Sequence, residues 1–176
     1  MTTIRGWLFT AIAILLLTGE ACAVTAPQPT QAVDLDRLMG RWNEILRTPN
    51  LSQNKCVTAH QFWSRKGAAF AIAQHCTHAD GKDTLFATDA RDIDARDHAK
   101  FEASFFLGLI KKRYWIIDHD SDYSWMIASS ADGKYVSALA RAPNVSAAER
   151  EALLRRVAEL GLNAAKLRDV EPAAAR

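Results

Sequence analysis

The sequence predicts an all-β fold, an up-and-down antiparallel barrel with one C-terminal α-helix packed against its outside. Between Cys56 and Val136 the chain is a series of short strand-like segments separated by turn residues. No helical crossover separates any two of these segments, which argues against a parallel sheet. Many short strands in up-and-down order usually close into a barrel, because closure removes their unpaired edges.

Length and composition indicate one globular domain with appendages. The chain has 176 residues, of which 49% are hydrophobic and 24% are charged. The formal net charge of +2 is too small to favour nucleic acid or an anionic membrane surface as the main partner. The sequence also lacks a basic cluster interleaved with aromatic residues, so we expect no nucleic-acid partner.

Residues 1–23 are typical of an export signal peptide. Arg5 supplies a positive charge, residues 7–18 form a mainly apolar run that is short for a membrane span, and a small-residue cleavage site follows. A retained membrane anchor is the alternative interpretation. Cleavage after Ala23 and lipidation of Cys22 both remain open, although the residues before Cys22 fit a lipoprotein signal poorly. Either route predicts an exported protein of the periplasm or outer membrane.

The remaining chain divides into three parts. Residues 24–34, which include VTAPQPTQAV, lack periodicity and are expected to form a flexible linker. Residues 35–168 are expected to form the folded domain, and residues 169–176 an Ala-rich disordered tail.

Cys56 and Cys76 are predicted to form a disulfide, because an even pair of cysteines in an exported protein is more often bonded than metal-binding. If the two face each other directly on antiparallel strands, the loop between the strands is Arg65-Lys66-Gly67. Gly67 then occupies the last loop position, where a left-handed backbone is favoured. We therefore expect this register.

That register sorts the hairpin side chains onto two faces. The face expected to line the barrel is rich in small residues with one large aromatic residue, which would leave room for a cavity. In the alternative interpretation the alanines pack against another element. The predicted lining residues of this face are Val57, Ala59, Gln61, Trp63, Ala69, Ala71, Ala73 and His75. The other face is expected to carry the disulfide with Thr58, His60, Phe62, Phe70, Ile72 and Gln74.

One helix is clearly indicated after the strands. Ser146 and Glu149 form a capping-box pattern, and Gly161 provides the stop. One apolar stripe of the helix is expected to pack against the outside of the barrel. The opposite, polar face is expected to be exposed to solvent. The stripe consists of Leu153, Leu154, Val157 and Leu160, and the solvated face of Arg150, Arg155, Arg156 and Glu159. The segment AKLRDV that follows can add a final short strand.

Three blocks in order resemble the signatures of the lipocalins, and more narrowly of the bacterial outer-membrane lipocalins related to apolipoprotein D. DLDRLMGRWNEILRTPN carries Gly40 and Trp42 at the positions of the Gly-x-Trp motif. DHDSDYSWMIASS carries Asp122 and Tyr123 at matching positions, and Arg141 matches the arginine of the third block. The resemblance implies an eight-stranded up-and-down antiparallel lipocalin barrel whose bottom is closed by the Arg141 guanidinium lying on the Trp42 ring.

The resemblance implies binding, storage or transport of small lipophilic molecules, fatty acids or lysophospholipids, in the bacterial cell envelope. An apolar barrel interior stabilises an acyl chain relative to water. Gln61 and His75 are candidates to contact a polar head group, although a strand histidine is more often structural. Asn43 stands where the family usually has Tyr, which implies an altered lower pocket. Further lining candidates, on strands whose register nothing determines, are Phe101, Phe105, Tyr114 and Trp125.

We expect no cofactor, no metal and a monomer or weak homodimer, with membrane association through a lipid anchor if Cys22 is lipidated. An enzyme is the second class of function, but the sequence does not assemble a catalytic constellation. His75 and His78 are expected on opposite faces. The acidic residues Asp118, Asp120 and Asp122 resemble a calcium loop, but the Gly and Glu that such a loop needs are absent.

A scaffold that acts through its outer surface is the third class. Phe62, Phe70 and Ile72 share the disulfide face, and together they would form an apolar patch if that face were exposed. Such a patch would promote self-association.

Overall fold

The computed structural model describes residues 25–51 and 53–170. The predicted signal peptide, Cys22 and residues 171–176 of the predicted tail lie outside these residues. The elements of the described chain are α1 (Leu35–Leu38), β1 (Gly40–Arg47), β2 (Cys56–Lys66), β3 (Ala69–His78), β4 (Asp83–Asp92), β5 (Lys100–Phe105), β6 (Ile110–His119), β7 (Trp125–Ser130), β8 (Val136–Ala140), α2 (Ala147–Glu159), a 3-10 turn (Ala164–Lys166) and β9 (Arg168–Asp169).

The strands close into the predicted antiparallel barrel. From β2 to β8, each strand pairs with the next one along the chain, and β1 closes the ring by pairing with both β8 and β2. The short strand β9 adds to β1 outside this ring. Because the order is up-and-down, the connections after β1, β3, β5 and β7 lie at one end of the barrel, and α1 lies with the other connections at the opposite end.

Two apolar clusters occupy the two sides of the sheet. One fills the barrel interior toward the α1 end and includes Trp42, Trp63, Phe70 and Phe101. The other lies between the outside of the barrel and α2. Strand alternation produces both clusters, because successive side chains point to opposite faces of the sheet.

The helix α2 begins and ends as the sequence predicts. Ser146 and Glu149 form both hydrogen bonds of the capping box, and Gly161 has a φ of +77° just after the helix. Arg156, expected on the solvated face, instead donates from Nε to Oδ2 of the buried Asp118 at 2.7 Å. Among the described residues, no helix is both long and apolar enough to cross a membrane.

The prediction of a flexible linker is wrong for residues 25–34, which pack against the barrel. Ala26 and Val33 are 3% and 4% exposed. The backbone N–H of Thr30 donates to Ile117 O at 2.9 Å, and its hydroxyl donates to Asp118 Oδ1 at 2.5 Å. Main-chain hydrogen bonds to a barrel strand hold this segment in place, so the folded domain begins before residue 35. The first two residues of the predicted tail are also ordered, with Asp169 in β9 and Val170 buried.

The predicted register of the first hairpin is also wrong, although the disulfide is present. Cys56 and Cys76 are bonded with Cα atoms 5.2 Å apart, but Cys76 faces Ala59 and a bulge lies between Cys56 and Thr58. The turn has only two residues, since Lys66 pairs with Ala69. Gly67 takes the first turn position with a φ of +62°, as in glycine-first hairpins. An odd shift in pairing reverses the face of every β3 side chain relative to β2.

Candidate ligand-binding site

The α1 end of the barrel is closed by the residues of the opening motif. Trp42 is fully buried and donates from Nε1 to Leu38 O at 2.7 Å. The Arg141 guanidinium carbon lies 3.7 Å from the centroid of the Trp42 ring, which confirms the predicted cation–π contact. Arg141 also donates to the carbonyl oxygens of Arg41, at 2.8 Å, and Arg37. Gly40 has a φ of +97°, and a Cβ there would lie 3.4 Å from Arg141 Nη1, which explains the glycine.

The second signature belongs to the same closed end. Tyr123 is buried, its ring stacks on His119 at 4.2 Å, and its hydroxyl oxygen accepts a hydrogen bond from Asp34 N–H at 2.6 Å. The Arg37 guanidinium lies 4.4 Å from the ring centroid. Asp122 is exposed, and nothing in the structure explains its place in the signature. The signature residues that the structure explains therefore close the barrel and leave its other end for a ligand.

Above this floor the interior is filled by an aromatic cluster. Trp63 stacks on Phe70 at 5.4 Å, and Phe101 meets both rings edge-on at 6.0 and 5.0 Å. All three side chains are at most 4% exposed. The predicted cavity lined by small residues is therefore not present in this half of the barrel.

Toward the open end the interior carries a buried polar network centred on Glu44. Its carboxylate accepts hydrogen bonds from Gln61 and Gln74, both at 2.9 Å, from Gln53 at 3.1 Å and from Arg47 at 2.9 Å. Glu44 is 2% exposed and Arg47 is 7% exposed, so this is an ion pair inside the barrel. The four donors satisfy a charge whose burial would otherwise be strongly unfavourable.

Other polar groups extend the network in both directions. Arg47 also donates to the carbonyl oxygens of Gln53 at 2.9 Å and Cys56 at 3.2 Å. Trp63 Nε1 donates to Gln61 Oε1 at 3.0 Å, which links the network to the aromatic cluster below. Burial, followed by the nearby Glu44 charge, raises the pKa of Tyr135 well above its ordinary value.

Sequence reasoning missed this network for two local reasons. Glu44 and Arg47 are three residues apart, so a regular strand would point them to opposite faces. The register of β1 shifts between Glu44 and Leu46, and this bulge brings both side chains to the interior. Gln74 was placed outside by the incorrect hairpin register. The usable signal was an Asn-Glu pair and an Arg on either side of two apolar residues.

The opposite wall of the upper interior is apolar. Phe86 of β4 stacks on Phe105 of β5 at 5.6 Å and meets Phe106 edge-on at 6.3 Å. Phe105 and Tyr114 are partly buried against the interior cluster, on the side predicted for them. Burial raises the pKa of Tyr114.

β4 and β5 separate above the Asp89–Ser104 pair, and an open groove of about 550 Å³ lies between them. The groove is lined by Ala87, Thr88, Asp89, Ser104, Phe106, Leu107 and Gly108.

The remaining predicted lining residues divide by strand. On β2, Ala59 and Trp63 are buried, Gln61 joins the network, and Val57 lies at the bulge. On β3 the prediction is wrong, because the register turns four side chains to the outer face, while Phe70, Ile72, Gln74 and Cys76 point inward. The outward side chains are Ala69, Ala71, Ala73 and His75. Trp125 is also misplaced, since it packs in the outer cluster beneath α2.

On the outer face His75 has a structural environment, and the predicted apolar patch does not form. His75 stacks on His60 with ring centroids 4.5 Å apart. Burial, then the charges of Arg41 and His75, lower the pKa of His60 to about 4. Phe70 is fully buried inside the barrel, so Phe62, 49% exposed, does not share an outer patch with it.

Comparisons with known proteins agree with this architecture. The family model described as a lipocalin-like domain matches residues 33–172. Apolipoprotein D of Macaca fascicularis is 24% identical, over 59% of this chain and 65% of its own length, just under two thirds of that relative.

Solved structures resemble the chain in fold. Insecticyanin of the tobacco hornworm Manduca sexta has a TM-score of 0.66 at 16% identity, with 84% of this chain and 85% of that chain covered. Lobster apocrustacyanin A1 has a TM-score of 0.61 at 13% identity, covering 86% and 92%. Lipocalin 12 from rat epididymis has a TM-score of 0.62 at 13% identity, covering 90% and 95%. At these identities the likeness establishes the fold alone. Because the family model spans most of the sequence and the barrel has the matching closed end, the chain belongs to the lipocalin-like family, whose fold generally binds small hydrophobic ligands.

Proposed function

We propose that this protein binds fatty acids or lysophospholipids in the upper half of its barrel and carries or stores them in the bacterial cell envelope. The observation that supports this is the division of the upper interior into two walls. In the ring of eight strands, β5 and β6 stand opposite β1 and β2. A ligand between them meets Phe105 and Tyr114 on one side and the Glu44 network on the other.

This arrangement suits an amphipathic molecule. The aromatic wall stabilises an acyl chain by about 0.8 kcal/mol for each methylene removed from water. The network offers amide groups and is electrically neutral, because Arg47 offsets Glu44. It therefore suits hydroxyl, ester or zwitterionic groups better than a bare anion. For an acidic head group the candidate partner is Lys112. In the register of β5 and β6 it stands opposite Ala103, whose side chain points inward, so Lys112 lies on the inner face at the mouth.

A binding role is favoured over catalysis, because the side chains around Glu44 hydrogen-bond to one another rather than pairing a nucleophile with a base. The Cys56–Cys76 disulfide fits an oxidising compartment. Periplasmic or outer-membrane location, with either processing route at residues 22–23, is part of the proposal.

Titration with a long-chain fatty acid and a lysophospholipid, followed by Trp fluorescence, tests the proposal. We expect saturable binding with a Kd in the micromolar range or tighter, about −8 kcal/mol. Trp63→Phe should remove most of the signal, since Trp63 lies beneath the site. Phe105→Ser should weaken binding about ten-fold through lost apolar contact. Phe62→Ser, the same change on the outer wall, should have no effect.

Lys112→Ala tests recognition of the ligand's head group separately from recognition of its acyl chain. The substitution should weaken binding of the fatty acid more than binding of the corresponding fatty alcohol, because the alcohol carries no charge for Lys112 to pair with. A flat titration with folded protein would exclude lipid carriage. Equal losses in the Phe105 and Phe62 variants would exclude the assigned wall.

A further inference from the structure

The turn between β5 and β6 exposes an apolar tip at the open end of the barrel. Leu107 is fully exposed, Leu109 is 87% exposed, Phe106 is 62% exposed, and Ile110 follows at 46%. Single exposed apolar residues are ordinary in proteins, but four within five consecutive positions form a patch. We call residues 106–110 the tip.

The tip is a compact turn closed by its own hydrogen bonds. Gly108 N–H donates to Phe105 O at 3.1 Å, and Leu109 N–H donates to Phe106 O at 3.2 Å, so the turn is hydrogen-bonded within itself. Phe106 and Leu107 have φ values of +51° and +57°. Bulky side chains are uncommon in this region, where Gly or Asn is favoured. The chain therefore keeps two large apolar residues in a turn whose geometry favours small or polar ones.

Further apolar side chains follow the rim of the mouth. Leu85 and Phe86 of β4 are 63% and 43% exposed, and Phe86 contacts Phe106. Leu51, in the connection after β1, is 91% exposed at the same end of the barrel. The exposed apolar surface thus belongs to the mouth as a whole.

Positive charge lies directly behind the tip. Arg91, Lys111 and Arg113 converge on the single carboxylate of Glu102, at 2.8, 3.5 and 3.8 Å. One carboxylate cannot neutralise three cations, so within the part of the chain that the structure describes this group has a net charge of +2. The net charge of the whole chain, only +2, does not reveal this local excess.

Two acidic residues elsewhere on the rim are paired with lysines. Asp80 pairs with Lys82 at 3.0 Å, and Asp132 pairs with Lys134 at 3.5 Å. Asp83 also has a partner. The group around Glu102, together with Lys112 at the mouth, therefore gives this side of the rim its positive charge.

We propose that the mouth of the barrel docks on an anionic lipid bilayer, with the tip inserted at the boundary between head groups and acyl chains. Lys111 and Arg113 lie one and three residues below Ile110, about 3–10 Å along the strand. Apolar elements of interfacial proteins insert about 5–10 Å, which would put these cations at the level of the phosphates. Docking does not require a ligand in the barrel, although it would bring the mouth to a source of lipid.

Vesicle flotation tests the proposal with phosphatidylcholine vesicles that contain or lack phosphatidylglycerol. We expect the protein to bind the anionic vesicles, and added salt to weaken binding. Leu107→Asp/Leu109→Asp should lower the partition coefficient at least ten-fold, since each buried leucine contributes about that factor. Phe62→Asp places a single negative charge on the outer wall and should leave partitioning unchanged. All variants carry Cys22→Ala, so that no attached lipid can anchor them to the vesicles and mask the contribution of the tip.

Two further readouts keep tip insertion and ligand binding separate. The fluorescence of Leu107→Trp should be quenched by brominated acyl chains, and circular dichroism checks that each variant is folded. Leu109→Asp alone, which leaves the groove residue Leu107 in place, should weaken flotation yet still bind a soluble fatty acid, so failure of docking is distinguishable from failure of the pocket. Equal flotation of wild type and the double variant would overturn the proposal. Failure of the wild-type protein to float with the anionic vesicles would also overturn it. This includes the case in which the tip mediates self-association, which analytical ultracentrifugation would detect.

Discussion

Removing the carboxylate of Glu44 should destabilise the folded barrel strongly. In Glu44→Met, Arg47 keeps only carbonyl partners in the interior, and Gln53, Gln61 and Gln74 lose their common acceptor. The side chains of the pair are 0% and 9% exposed, so solvent provides little compensation. Breaking one partner of a buried pair typically costs about 3–5 kcal/mol. For a domain of this size that lowers the Tm by about 10 °C.

The double variant Glu44→Met/Arg47→Met should cost less than Glu44→Met alone, because it leaves no uncompensated charge. Glu151→Met is the matched control, since the Glu151 side chain is 70% exposed in a surface pair with Arg155 and should contribute less than about 1 kcal/mol. Urea unfolding of ligand-free protein with the disulfide intact measures all three. A loss below about 1 kcal/mol for Glu44→Met, or a double variant less stable than Glu44→Met, would refute the assignment of a buried, mutually dependent pair.

Three other outcomes follow from the structure. Arg141→Lys keeps the charge but loses the flat contact on the indole, and thermal unfolding should show a loss of about 1–2 kcal/mol; an unchanged Tm would contradict this. Replacing Cys56 and Cys76 by Ala should lower the unfolding free energy by about 3 kcal/mol, because the unfolded chain loses a closed loop; an unchanged urea midpoint would count against it. Burial and then Arg41 lower the pKa of His60 to about 4 from 6.5, so between these pH values the unfolded state binds more protons and stability falls as pH falls. His60→Gln should flatten that dependence, and an NMR titration of His60 with a midpoint near 6.5 would disprove it.

Features that depend on short sequence patterns were predicted correctly. The capping box of α2, its terminating glycine and the Trp42–Arg141 contact are all present. The disulfide was also predicted correctly. These features depend on residue types at fixed spacing, or on a family resemblance in three ordered blocks, and neither needs the exact pairing of strands.

The lining of the barrel was predicted well only where strand register did not matter. Within β2 the inward residues follow from alternation alone. Between β2 and β3, a bulge beside Cys56 and a two-residue turn moved the pairing by an odd number of positions. Both faces of this hairpin carry aromatic residues, Trp63 and Phe62, so hydrophobicity could not choose between the two registers.

By itself, the sequence determined the class of fold, the closed end of the barrel and the covalent link between β2 and β3, because local pattern and residue identity specify each of them. Tertiary structure alone decided which side chains meet inside. The Glu44–Arg47 pair depends on a bulge in β1, and the aromatic wall depends on which face of β4 turns inward. The alternation of residues along a strand shows only that its side chains form two faces. Which of these faces lies inside the barrel depends on how all the strands pair around the closed ring.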